Sequence, residues 1–178
     1  MNVIGFAGGS GAGKTTLIER LIPVLKQRGL RVSVLKHAAD GFEFDLPGKD
    51  SWRHRKAGAF EVVLASTQRL ALLREFEKPS HLSVHQLIAH LYDGVDWVLV
   101  EGFKHSDLQK IEVWRTDVTQ APQYPEDPFI VALATDASNQ LPAATLRPLL
   151  DLNDAPALAD WLLGQGERFA YNPEVYLE

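Results

Sequence analysis

The residues with the clearest chemical meaning form the glycine-rich segment 8–16, GGSGAGKTT, between an apolar run and a run with helical spacing. Glycines permit backbone angles that turn several N–H groups toward one point, where they bind an anion. The start of the following helix directs the positive end of its dipole to the same place. The spacing Gly8-x-x-x-x-Gly13-Lys14-Thr15 is that of a P-loop, which predicts binding of a nucleoside triphosphate.

The side chains of this segment have separate expected roles. Lys14 reaches the β- and γ-phosphates, and the Thr15 hydroxyl holds Mg²⁺. A glycine-rich turn without a ligand is the alternative, which the flanking strand and helix disfavour. The residues predicted to bind the nucleotide here are Gly8, Gly9, Ser10, Gly11, Ala12, Gly13, Lys14, Thr15 and Thr16.

A second acidic group should come from the carboxyl end of a neighbouring strand, where open α/β sheets bind their ligands. Glu101 directly follows the apolar run WVLV and resembles the acid of a Walker B motif, although Asp is commoner there. It is predicted to bind Mg²⁺ directly, to act through a water, or to orient the attacking water. An ordinary acid at a strand end is the alternative. The backbone N–H of Gly102 is a further candidate for the γ-phosphate.

The loop 38–50 offers two more carboxylates that can complete a metal shell. Asp50 is equally a candidate for the N-cap of a helix over 51–57, and the two roles are compatible. Asp45 is better interpreted as a solvated loop acid. Lys49 is better interpreted as a surface lysine than as a phosphate ligand.

Two further clusters suggest other chemistry. The basic run WRHRK at 52–56 can receive a phosphorylated ligand or form a solvated helix face. His81 and His85 have helical spacing, but His90 lies off that face, and no cysteine accompanies them. A metal site made by these histidines is therefore disfavoured.

The elements that must position these groups alternate between strands and helices, which indicates an α/β fold. Strands are predicted at 3–7, 30–37, 60–66, 69–75, 96–102, 110–115, 129–135 and 148–152. Helices are predicted at 15–28, 51–57, 83–92 and 155–163, the last capped by Asn153 or Asp154. The first strand–helix–strand unit should be parallel with a right-handed crossover, and the prolines of 116–128 indicate an exposed loop. The expected architecture is a P-loop NTPase-type three-layer sandwich, with a mostly parallel sheet, an antiparallel hairpin, and helices on both faces.

Length and composition limit the possible functions. The 178 residues fit one domain, with 167–178 as a C-terminal tail. The chain has no cysteine, no evident signal peptide and no apolar run long enough to span a membrane, so we expect a cytoplasmic protein. The formal net charge of -5 disfavours nucleic acid as a partner.

Four stretches resemble the molybdopterin-guanine dinucleotide biosynthesis protein B (MobB) family: GGSGAGKTTL at 8–17, LKHAADGFEFDLPGKDSWRHRKAGA at 35–59, VLVEGFKH at 98–105, and LLDLND before the last helix. The second and third are the specific ones, because many families share a P-loop. The resemblance implies a GTP-binding accessory protein with at most weak Mg²⁺-dependent GTPase activity. It also implies a homodimer that acts beside a separate MobA-type guanylyltransferase. By the same resemblance, Asp50, Glu101 and the P-loop would surround the Mg²⁺ and phosphates. Asp50 is therefore the preferred candidate for the metal ligand, ahead of Asp45.

One departure concerns the base, because the Asn-Lys-x-Asp stretch by which familiar GTPases bind guanine is not found here. Residues Ala134, Thr135 and Asp136 lie where the predicted strand 129–135 ends, a suitable place for base contacts, and Asp136 can accept hydrogen bonds from a guanine edge. Two other functions stay open: a small-molecule kinase with WRHRK as its lid, and a metallochaperone GTPase. The kinase would need arginines that close on the γ-phosphate, and the metallochaperone would need a histidine-rich or cysteine-containing metal site.

Overall fold

The computed structural model describes residues 1–38, 41–91 and 93–176. The strands are β1 Asn2–Ala7, β2 Val32–Lys36, β3 Glu61–Ala65, β4 Leu70–Arg74, β5 Trp97–Glu101, β6 Lys110–Trp114, β7 Ile130–Thr135 and β8 Leu149–Asp151. The helices are α1 Lys14–Gln27, α2 Asp50–Lys56, α3 Val84–Ile88 and α4 Ala155–Gly164. Short 3₁₀ turns follow at Ser138–Gln140, Gly166–Phe169 and Pro173–Tyr176. None of the described helices is both long and apolar enough to cross a membrane.

The chain forms two compact units, Met1–His37 with Ser83–Glu178, and Ala38–Leu82. The first unit contains a six-stranded sheet in the order β2-β5-β1-β6-β7-β8. All of its paired neighbours are parallel. The carboxyl ends of β1, β2 and β5 therefore lie at one edge of the sheet, and the segments that follow these strands begin together there.

Alternation along the strands produces two apolar layers. Ile4 and Phe6 of β1 pack in one core cluster with α1 and α4, whereas Val3 belongs to a second cluster with α3. In β5, Trp97 and Leu99 belong to the first cluster, and Val98 and Val100 belong to the second. The face of Trp97 and Leu99 is thus the face of α1, and Glu101, two residues further, lies on it.

The helix α1 shows why the strand ends can hold a site. Its residues at helical spacing, Leu17, Leu21 and Leu25, are fully buried, so the helix is fixed on the sheet. Its N-cap Gly13 has a left-handed backbone, and the helix runs without interruption through Pro23. The first turn of α1 is consequently held at the carboxyl edge, beside the end of β1.

The second unit contains α2 and the hairpin β3–β4, which forms its own two-stranded antiparallel sheet. The predicted hairpin is confirmed. The expectation that it belongs to the main sheet is wrong, because β3 and β4 pair only with each other. Two strands alone bury little, and several large apolar side chains of this unit are exposed. They are Phe42, Phe44, Leu46, Phe60, Val63, Leu64, Leu70, Leu72 and Phe76.

Most predicted elements are confirmed, including the parallel β1–α1–β2 unit and the Asp154 cap of α4, whose side chain accepts from the N–H of Ala157. Helix α3 is shorter than the predicted 83–92. After Ile88 the backbone changes to i→i+3 hydrogen bonds, such as Leu91 N–H to Ile88 C=O, which end the α-helix. Residues 39–40 of the predicted loop, residue 92 of the predicted helix and residues 177–178 of the tail lie outside the described residues. The division into a single nucleotide-binding domain stays a prediction.

The loop 116–128 was expected to be exposed. It is buried in part, because Tyr124 is fully buried. The buried carboxylate of Glu112 on β6 accepts hydrogen bonds from the backbone N–H groups of Gln123 and Tyr124, at 2.8 and 2.7 Å. Burial raises the pKa of Glu112, while these two hydrogen bonds oppose the rise. The loop is therefore fixed to the sheet by a buried acceptor.

Candidate functional site

The segment Gly8–Thr15 joins the end of β1 to the first turn of α1, as the P-loop pattern predicts. Gly8, Gly11 and Gly13 have positive φ values of 130°, 80° and 96°. A Cβ on Gly8 would lie 2.3 Å from the backbone oxygen of Val113 in β6, so a side chain is excluded here by space as well as by conformation. The glycines thus let the loop pass against the sheet.

Lys14 folds back over this loop. Its Nζ donates hydrogen bonds to the backbone oxygens of Gly8 at 2.9 Å and Gly9 at 2.7 Å. Burial lowers the pKa of Lys14, the charge of Glu101 opposes this effect, and the ammonium groups of Lys36 and Lys104 lower the pKa further. A half-buried ammonium beside like charges is stabilised by an anion, which fits the predicted phosphate role.

Thr15 and Glu101 come together as predicted. The Thr15 hydroxyl donates to Oε1 of Glu101 at 2.7 Å, and the Glu101 side chain is only 11% exposed. Glu101 reaches Thr15 because it ends β5 on the face covered by α1. A hydroxyl and a carboxylate side by side are hard oxygen donors, the type that Mg²⁺ prefers.

Lys36 is a member of this site that the sequence interpretation missed. Its Nζ lies 3.4 Å from Oε2 of Glu101 and 3.5 Å from Oγ1 of Thr15. Lys36 and Glu101 are register partners at the ends of the adjacent parallel strands β2 and β5. A signal was available, since both residues end apolar strands, but the pairing of β2 with β5 cannot be derived from their positions in the chain.

The loop after β6 lies against the P-loop. A Cβ on Gly9 would lie 2.5 Å from Cγ1 of Val118 and 2.9 Å from Oε1 of Gln120. The same loop is fixed through Glu112, as described above. The P-loop is therefore in contact with a second segment, for which the sequence interpretation assigned no role.

The residues proposed for base contacts lie at the carboxyl end of β7, two strands from β1. Thr135 and Asp136 line a cavity of about 390 Å³ together with Asp151 and Asn153. Oδ2 of Asp136 pairs with Nη2 of Arg115 at 3.0 Å. Ala134 is fully buried, and the Thr135 hydroxyl accepts from the N–H of Ala137. The base assignment stays a prediction.

Asp45 and Asp50 both belong to the second unit. Asp45 is not the solvated loop acid that was expected, because its side chain is buried. It accepts hydrogen bonds from Ser51 Oγ at 2.8 Å and Arg55 Nε at 3.2 Å. Burial acts to raise the pKa of Asp45, but these hydrogen bonds and the Arg55 charge outweigh it, so the pKa is lowered. Asp45 is thus a structural residue of its own unit.

One interpretation proposed Asp50 as the N-cap of α2, and this interpretation is wrong. The N-cap is Lys49, and Asp50 is the first residue of the helix. Its negative charge there interacts favourably with the positive end of the helix dipole. Its side chain is 88% exposed and pairs with Arg53 at 3.8 Å. An exposed carboxylate keeps the metal-ligand hypothesis open, and that hypothesis stays a prediction.

The basic run 52–56 forms most of α2. Arg55 within it forms ion pairs with both Asp45 and Glu75, which belong to the same unit. These ion pairs count against a kinase lid that would use Arg55. Lys56 lies over the ring of Trp52, 5.9 Å from its centroid.

The three histidines that invited a metal interpretation do not group together. His85 contacts the Tyr171 hydroxyl through Nδ1 and Asp107 Oδ1 through Nε2, each at 2.7 Å. Among the described residues, no three His, Cys, Asp or Glu side chains assemble into a metal site.

The chain is similar to proteins and solved structures of one family. The family model described as molybdopterin guanine dinucleotide synthesis protein B (MobB) matches residues 3–136. The chain is 42% identical to a molybdopterin-guanine dinucleotide biosynthesis adapter protein of Haemophilus influenzae, over 90% of this chain and 86% of that protein. It is 39% identical to the Escherichia coli protein of the same description, over 90% and 91% of the two chains. The crystal structure of Bacillus subtilis MobB shares the fold, with a TM-score of 0.71 at 24% identity over 93% of this chain and 98% of that chain.

Proposed function

Since the chain belongs to the molybdopterin guanine dinucleotide synthesis protein B family and has the role of an adapter protein in molybdopterin-guanine dinucleotide biosynthesis, we propose that it binds GTP with Mg²⁺. The observation that carries this proposal is the meeting of three groups at one sheet edge. They are the P-loop, the half-buried ammonium of Lys14, and the hydrogen-bonded pair of Thr15 and Glu101. Together they offer phosphate donors and metal ligands side by side.

The donor set fits Mg²⁺. This ion is bound in phosphate sites through one or two carboxylates, the substrate phosphates and waters. Thr15 Oγ1 and the Glu101 carboxylate would hold it. When bound, Mg²⁺ neutralises negative charge on the phosphates.

The chain's own residues support slow hydrolysis at most. Lys14 and the loop N–H groups position and neutralise the phosphates, which is the main contribution of such sites to phosphoryl transfer. Glu101 already holds the Thr15 hydroxyl and pairs with Lys36, so its better-supported role is to hold the metal rather than to act as general base. We therefore propose weak GTPase activity and an accessory role beside a MobA-type guanylyltransferase that attaches GMP to molybdopterin.

The cavity at the ends of β7 and β8 is the proposed site of the base. It lies on the same sheet edge as the P-loop, about 10 Å away across two strand spacings. The Asp136 carboxylate there can accept from the two N–H donors of a guanine edge, whereas adenine offers no such pair.

A homodimer is the proposed assembly. The second unit exposes large apolar side chains, and five of them line a cavity of about 710 Å³: Phe42, Phe44, Leu70, Leu72 and Phe76. Exposed apolar patches of this kind mark interaction surfaces. A second copy of the chain is the proposed occupant, and the protein mass in solution by light scattering tests this assembly.

The decisive experiment is a calorimetric titration of the protein with GTP and with ATP, each with Mg²⁺ and with a chelator. GTP should bind with a one-to-one stoichiometry per chain and more tightly with Mg²⁺ than without it. Equal affinity for ATP would remove the guanine assignment. An absence of heat with both nucleotides, confirmed by equilibrium dialysis, would overturn the proposal.

A further inference from the structure

Glu101 pairs in this structure with an ammonium group beside the two oxygens proposed to hold the metal. Lys36 Nζ lies 3.4 Å from Glu101 Oε2 and 3.5 Å from Thr15 Oγ1, while Glu101 Oε1 is engaged by the Thr15 hydroxyl. A cation bound by both Thr15 Oγ1 and Glu101 would lie within about 2.1 Å of each oxygen. That cation and the ammonium would compete for one carboxylate.

We propose that Lys36 is a built-in substitute for the metal: its ammonium neutralises Glu101 in the nucleotide-free protein and must withdraw before a divalent cation binds. This proposal rests on the proposed function, because it concerns the same site. It assigns to Lys36 the role of a displaceable counter-ion of Glu101.

The exposures of the two partners support this direction of movement. The Lys36 side chain is 55% exposed and has a flexible four-carbon stem, so its head can move into water at small cost. The Glu101 side chain is 11% exposed and is held by Thr15, so it stays in place. A buried carboxylate without a cation is unfavourable, which explains why a substitute is useful when the metal is absent.

The charges around Lys36 and Glu101 should couple the binding of the metal to the binding of the triphosphate. Lys36 Nζ lies 3.5 Å from Oγ1 of Thr15, the chain neighbour of Lys14, so two ammonium groups of like charge belong to one site and repel each other. A polyanion arriving with the metal relieves this repulsion. Metal and triphosphate should consequently bind cooperatively, since the metal alone displaces a paired lysine and gains no phosphate oxygens.

The test measures Mn²⁺ binding to the nucleotide-free protein by electron paramagnetic resonance, in the parent and in Lys36→Met. Loss of the ammonium should tighten Mn²⁺ binding at least about threefold, because the metal no longer competes with a cation. Lys36→Arg keeps a cation and should bind Mn²⁺ as the parent does. The matched control is Lys104→Met, which removes a like charge near Lys14 but no contact of Glu101 or Thr15 in the described structure.

Each result decides the question. Tighter binding in Lys36→Met, with Lys104→Met within about twofold of the parent, supports the substitution role. Unchanged or weaker Mn²⁺ binding in Lys36→Met overturns it. An equal gain in Lys104→Met also overturns it, because the effect would then be the general field of the lysines. GTP is not used in this experiment, so failure of GTP binding in the calorimetric titration is a separate result.

Discussion

The hydroxyl of Thr15 donates a 2.7 Å hydrogen bond to the carboxylate of Glu101, a residue 86 positions further along the chain. This bond joins the first turn of α1 to the end of β5. It depends on the face that Glu101 shares with Trp97 and Leu99, because that face is the one covered by α1. Sheet alternation therefore brings together the two groups proposed to hold Mg²⁺.

Lys14→Ala should weaken GTP binding by about 3 kcal/mol, or about 100-fold, because the P-loop loses its half-buried cation toward the phosphates. Calorimetry with Mg²⁺ present measures this loss. Lys26→Ala removes an exposed lysine from the last turn of the same helix and is the matched control, with unchanged affinity expected. Retained GTP affinity in Lys14→Ala would refute the phosphate assignment.

Asp50→Ala tests the prediction, made from the sequence, that Asp50 binds Mg²⁺. If it does, the gain in GTP affinity on adding Mg²⁺ should fall by about tenfold, and Glu101→Gln should reduce the same gain at least as much. The free energy of unfolding, measured by thermal denaturation, should change by less than about 1 kcal/mol in Asp50→Ala, because Asp50 is exposed and is not the N-cap of α2. An unchanged response to Mg²⁺ in Asp50→Ala, with a reduced response in Glu101→Gln, would leave Glu101 as the protein carboxylate at the metal.

Asp136→Asn should reduce the preference for GTP over ATP by about tenfold, because an amide accepts less strongly than a carboxylate from the guanine N–H groups. Competition between the two nucleotides for the protein measures the ratio. Asp151→Asn changes another carboxylate that lines the same cavity and serves as the comparison. A ratio that responds only to Asp151→Asn would move the base contact from β7 to β8.

Glu112→Ala should destabilise the protein by about 3 kcal/mol, because the N–H groups of Gln123 and Tyr124 would lose their buried acceptor. Denaturant unfolding measures the change. Glu126→Ala, an exposed acid in the same loop, should change stability by less than about 0.5 kcal/mol. Equal stabilities of the two variants would show that the carboxylate does not fix the loop.

Tyr171 should be a late-titrating member of the four tyrosines. Burial, together with the charges of Tyr176 and Asp107, raises its pKa to about 12. A pKa raised by folding contributes stability that is fully present below the ordinary value near 10 and is lost as the pH rises through about 12. Carbon-13 NMR of labelled tyrosine rings gives the titration, and Tyr171→Phe should remove this late step. Titration of Tyr171 near its ordinary value would contradict the described packing.

Local signals predicted most of the fold. The apolar spacing of α1, the Asp154 cap of α4 and the turn between β3 and β4 each depend on residues close together in the chain, and each is confirmed. The strand order was not accessible in this way, because pairing of β2 with β5 joins segments separated by about 60 residues of chain. For that reason the hairpin was wrongly placed in the main sheet.

The same limit applies to the candidate site. The P-loop is a contiguous motif, and Glu101 could be found because it ends an apolar strand. Lys36 was missed because its importance comes from its register partner. Asp45 was misjudged because burial by Ser51 and Arg55 has no local signature in a loop with irregular spacing.

The lysines around Glu101 have a consequence for how a ligand arrives. Lys14, Lys36 and Lys104 act on one another around a single carboxylate, that of Glu101, so the site beside the P-loop is locally positive on a chain whose formal net charge is -5. A local field opposite in sign to the overall charge draws multivalent anions to one spot while the rest of the surface repels them. Association rates of a triphosphate should therefore fall as ionic strength rises, even though the molecule as a whole is acidic.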